Sequence, residues 1–92
     1  MNEELVIQLR RTVDRLRIMS AAQLERDGRA DQVRTLIESM AKLSRPKTSV
    51  PELAITGLAD QLAVIGRECS EVIDAIAAEQ LADTLRSLRQ TL

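Results

Sequence analysis

The chain has 92 residues, 45% of them apolar and 29% charged, with a formal net charge of −1, one Cys, no His and no Phe, Trp or Tyr. That length holds one domain, and any core in it must be built from aliphatic side chains. Without an imidazole there is no Ser-His-Asp triad, no Cys/His zinc site and no His-ligated haem, and the lone thiol, Cys69, closes no disulfide within the chain.

Further exclusions follow from the same composition. Stacking of unpaired bases on rings is closed to a chain with no rings, as is an aromatic cage for a quaternary ammonium. Gly28, Gly57 and Gly66 are scattered, so no Gly-rich phosphate loop is present. A single thiol suits a reducing compartment. Glu3 and Glu4 sit where a targeting signal would be basic, and no apolar run approaches the roughly 18 to 20 residues of a membrane span. The expectation is a soluble cytoplasmic protein with no catalytic residue, no cofactor, no metal and no small-molecule substrate.

The predicted class is all-α, because nearly every segment carries a helical period and almost none alternates like a strand. Residues 1–43 read as a helical hairpin. Its first helix covers about 3–27, with Asn2 as N-cap, Glu3 and Glu4 in the first turn and Asp27-Gly28 as stop signal. At about 100° per residue, Leu5, Val6, Leu9, Val13, Leu16 and Leu24 form one apolar stripe. Ile7 and Ile18 fall on the opposite side, and a helix apolar on two sides has two packing partners.

The second helix covers about 31–43, capped by Asp31, with Val33, Leu36, Ile37, Met40 and Leu43 as its inner face. Residues 44–50 form a polar, basic linker containing Pro46. Ser49-Val50-Pro51-Glu52 then has the pattern of a capping box, which starts a long helix over 51–92. Along it Ile55, Leu58, Leu62, Ile65, Cys69, Val72 and Ile76 repeat at alternating steps of three and four, a coiled-coil seam of about 33 Å. The phase is the same on both sides of Gly66, so the helix runs through it. The register fails at Glu79 and resumes with Leu81, Leu85, Leu88 and Leu92, which predicts a shift or bend near 78–80.

A seam of that length, on a small chain without aromatic, disulfide or metal support, predicts self-association into an oligomeric helical bundle. Ile7, Ile18, Ile55, Leu58, Leu62, Ile65, Cys69, Val72 and Ile76 are the candidate oligomer or partner interface. Charge is uneven: residues 1–47 carry 10 Lys/Arg and 7 Asp/Glu, residues 48–92 carry 3 and 7. The halves attract each other within or between subunits, or Arg10, Arg11, Arg15, Arg17, Arg45 and Lys47 contact nucleic-acid phosphates.

The hairpin residues Leu24-Glu25-Arg26-Asp27-Gly28-Arg29-Ala30-Asp31, with Val33 to Leu43 after them, resemble the helical oligomerisation region of small terminase subunits of phages. That resemblance covers residues 24–43. It implies a ring-forming adaptor that helps deliver DNA to a packaging motor and meets a large subunit through its C-terminal segment. No helix-turn-helix is visible before it, so the implied DNA contact is non-specific. The residues themselves predict a non-catalytic helical protein that self-associates and acts by binding another protein, as an adaptor, regulator or chaperone would.

Overall fold

A computed structural model describes residues 2–45 and 55–92, apart from the side chain of Ile55. The capping box at Ser49–Glu52, Lys47 and most of the 44–50 linker lie outside the described residues. Among the described residues every regular element is helical, as the periodicity predicts: α1 (Glu3–Ile18), α2 (Ala21–Glu25), α3 (Arg29–Ser44), α4 (Leu58–Val72) and α5 (Ala75–Thr91). Single 3-10 turns at Arg26–Gly28 and Ile55–Gly57 lead into α3 and α4.

The first and last of the predicted helices are each divided, and local hydrogen bonding is the reason. The predicted 3–27 helix stops at Ile18, where Met19 turns extended. Ser20 and Gln23 then form a reciprocal capping box: the Gln23 N–H donates to Ser20 Oγ at 3.2 Å and the Ser20 N–H donates to Gln23 Oε1 at 2.8 Å. Asp27 (φ 56°) and Gly28 (φ 70°) are both left-handed, a conformation Asp tolerates and Gly takes without cost. That turn starts α3 at Arg29, two residues before the predicted cap Asp31.

The long helix predicted over 51–92 likewise divides, at Ile73-Asp74 and not near 78–80. Ile73 is extended, and Asp74 caps α5, its Oδ1 accepting from the Ala77 N–H at 2.8 Å. The changed register after Glu79 is therefore that of a new helix already under way. Asp74→Ala removes this cap and should cost about 1 kcal/mol of stability in a urea titration followed by circular dichroism. Helix α4 does run unbroken through Gly66, as predicted.

These two breaks let the chain cover its own apolar faces. α4 packs against both α1 and α3, and α1 also packs against α5. α1 and α4 run antiparallel: Asn2 Nδ2 donates to the carbonyls of Ser70 (3.1 Å) and Ile73 (3.3 Å), while Arg17 reaches Asp60 at the other end. Asn2 thus ties down the end of α4 and makes no side-chain cap on α1, where the sequence placed it. α5 follows the direction of α1, through Glu4 with Arg86, Gln8 with Arg89 and Arg15 with Leu92. The two longer helices of the predicted hairpin, α1 and α3, do not pack as its two arms. α4 contacts both, because its 3-4 repeat presents apolar side chains to two neighbours.

Leu5, Leu9, Val13 and Leu16 meet Val33, Ile37 and Met40, Leu58, Leu62 and Cys69, and Leu85 in one continuous core. Leu43, predicted inside α3, is exposed, and Ala41 takes the inner position. The centre of the α1–α4 contact is a notch. A Cβ added to Gly66 would lie 2.5 Å from Leu9 Cδ1 and 2.8 Å from Cδ2, so the missing side chain makes room for Leu9.

Candidate interaction surface

The predicted interface residues separate into two groups. Leu58, Leu62, Ile65 and Cys69 are buried in the chain's own core. An alternation of three and four marks the face of any helix covered along its length, and here the covering helices are α1 and α3 of the same chain. The sequence-based expectation placed another subunit along this seam; in the fold these four side chains are already packed against helices of the same chain. The side chain of Ile55 lies outside the described residues.

Val72, Ile76, Ile7 and Ile18 form the second group and face solvent. Val72 (62% exposed) and Ile76 (72%) flank the Ile73-Asp74 turn, and Ile18 (74%) and Ile7 (44%) lie on the outer side of α1. For α1 the sequence left two readings open, packing inside the bundle or contact with a partner. Among the described residues Ile18 is left largely uncovered and Ile7 about half covered.

The candidate phosphate contacts are dispersed by their partners. Arg17 Nη2 lies 3.3 Å from Asp60 Oδ1. Arg45 grips Glu68 with two nitrogens, Nε donating to Oε2 at 2.6 Å. Hydrogen bonding from Arg45 holds the Glu68 carboxyl below its usual range, and the same bond raises Arg45. Arg15 Nη2 donates to the Leu92 carbonyl at 2.7 Å. Arg10 and Arg11 are exposed and make no hydrogen bond or direct ion pair among the described residues, Arg11 acting on Glu4 at longer range, and Lys47 lies outside them.

Two buried polar residues on α1 carry no signal in the apolar pattern. Gln8 Nε2 donates to Glu4 Oε1 at 2.8 Å, and Thr12 Oγ1 donates to the Gln8 carbonyl at 2.8 Å. Arg89 from α5 donates to that same carbonyl at 3.5 Å. The bond from Gln8, then that from Arg86, lowers the Glu4 carboxyl below its usual range. Gln8 Oε1 is buried without a hydrogen-bond partner. This polar strip lies between α1 and α5, while the opposite edge of α1 borders an open groove of about 830 Å³ toward α4. Arg10, Asp14 and Arg17 line it on one side, Arg67 and Glu71 on the other, so its charges are mixed.

Burial pushes the Cys69 thiol up and away from the reactive thiolate, as suits a side chain that fills space. Among the described residues no group of three or more His, Cys, Asp or Glu is arranged to hold a metal ion, and no helix is long and apolar enough to cross a membrane. Over the described residues the fold is all-α, with four principal helices around an aliphatic core. Comparison with family models, with curated proteins and with solved structures finds no match.

Proposed function

We propose that this is a non-catalytic interaction protein that associates with itself and acts on other proteins as an adaptor or regulator. The observation that supports this reading is the set of large apolar side chains left outside a core that the chain already closes: Ile18 and Ile76 are each more than 70% exposed. Single exposed apolar residues are common on soluble domains. Here, however, Val72 and Ile76 flank one turn, and Ile7 and Ile18 share one helix face.

A nucleic-acid contact has less physical support. Arg17 and Arg45 are matched by carboxylates of the chain and Arg15 by a carbonyl, which among the described candidates leaves Arg10 and Arg11 for a phosphate. The test is sedimentation velocity from roughly 5 to 500 μM, a range in which small interfaces of weak affinity become populated. A mass that rises with concentration is the expected result, and monomer throughout would overturn self-association.

A further inference from the structure

Four residues on the outer face of α1 have an order that the exposed apolar side chains alone do not reveal. Ile7, Arg11, Asp14 and Ile18 follow one another at steps of four, three and four, so at about 100° per residue they lie within about 60° of one another. All four are exposed. Asp14 has no hydrogen-bond or ion-pair partner among the described residues, and Arg11 makes no direct ion pair there, its charge acting on Glu4 only at longer range, whereas Arg17, Arg45 and Arg86 each hold a carboxylate directly. Read forward, the stripe is apolar, basic, acidic, apolar. Read backward it is apolar, acidic, basic, apolar, which is its own complement.

We infer that the outer face of α1 docks on the same face of a second copy of this chain, antiparallel, about a two-fold axis level with the midpoint between Thr12 and Val13. This inference rests on the self-association reading and specifies its geometry. About that axis Ile7 meets Ile18 of the second copy at each end, and Arg11 meets Asp14 of the second copy in two reciprocal ion pairs at the centre. An isologous contact of this kind closes at two subunits. The steps of four and three place the four residues at successive seam positions, and in antiparallel helix pairs the two kinds of seam position face each other.

Direction is set by charge. A parallel pairing in register would oppose Arg11 to Arg11 and Asp14 to Asp14, so the same residues that favour one orientation penalise the other. The flanks are tolerable: Arg10 faces the side of the second copy that carries Arg17, whose charge its own Asp60 already matches at 3.3 Å. Ile7 to Ile18 spans only about 16 Å of helix. The contact therefore belongs to the small interfaces, with a dissociation constant of roughly 10 to 500 μM.

The experiment compares sedimentation equilibrium of the full chain with Arg11→Glu, Asp14→Arg and the double swap Arg11→Glu/Asp14→Arg, with circular dichroism to establish that each is folded. Every substituted position is exposed, and each replacement is a good helix former. Each single variant opposes like charges in both central layers and should weaken dimerisation at least tenfold. The double swap restores opposite charges and should bring affinity back to within about threefold of the original. If the original chain dimerises and the single variants dimerise equally well, the α1 contact is wrong and self-association proceeds elsewhere. A double swap as weak as the single variants overturns the facing of residues 11 and 14. An original chain that stays monomeric overturns this contact and the self-association reading together.

Discussion

Leu62→Asp is expected to unfold the chain and not merely to dissociate it. Leu62 is completely buried, on the face of α4 that joins the core shared with α1 and α3. The substitution removes a buried aliphatic side chain, which costs about 2 to 5 kcal/mol, and leaves a carboxylate without a partner in an apolar site, which costs several more. Domains of this kind have only about 5 to 15 kcal/mol in total. Far-UV circular dichroism should show the helical signal largely lost at room temperature. Ile76→Asp, at a position 72% exposed, should leave helicity intact and stability within about 0.5 kcal/mol. A Leu62→Asp variant that stays helical and only halves in mass would show that the seam is covered by another subunit after all.

The contact between Leu9 and Gly66 should reveal itself through non-additivity. Leu9→Ala opens a cavity in the α1–α4 contact and is expected to cost about 2 to 5 kcal/mol. Gly66→Ala gains about 1 kcal/mol of helix propensity. It also sets a methyl group 2.5 Å from Leu9 Cδ1, and crowding of that degree costs about 1 to 3 kcal/mol. Alone it is therefore neutral to mildly destabilising. In the double variant the methyl group added at position 66 enters space that the Leu9 side chain has vacated, so the helix gain returns without the collision. Urea titrations of the four proteins should give a double variant about 1 to 3 kcal/mol more stable than the two single effects predict. Additivity within about 0.5 kcal/mol would contradict the close approach of the two helices.

What could be read from the sequence depended on the kind of information each residue carries. Leu5, Leu9, Val13 and Leu16 identify the inner face of α1 by angle alone, and Ile7 and Ile18 identify the outer one. Leu58, Leu62, Ile65 and Cys69 identify a covered face too, but their spacing is the same whether the cover comes from the same chain or another. The breaks decide that point, and both were masked by phase. Leu24 falls near the α1 stripe as if the helix continued past Ser20, and Ile76 continues the α4 spacing across Asp74. Their signals were nonetheless local and present, a Ser-x-x-Gln box at Ser20–Gln23 and an Asp three residues before Ala77. Gln8 and Thr12 had no such signal, because their burial depends on α5 lying alongside. On the candidate surface Ile7 and Ile18 stood out by their position on the helix, whereas Asp14 reads as an ordinary solvated charge until the stripe is laid against its own reverse.

The central claim is that one chain closes its own core and that association occurs on the outside of a finished fold. Denaturation midpoints as a function of protein concentration test it most directly, followed by far-UV circular dichroism because no aromatic residue offers another optical signal. Over a hundredfold range from roughly 1 to 100 μM, the midpoint should move by no more than a weak dimer allows, at most about 1 kcal/mol of apparent stability. On the same per-chain basis a chain that folds only as an obligate dimer would lose about 1.4 kcal/mol on that dilution, with no levelling at the dilute end, and a midpoint that falls that far would contradict the account.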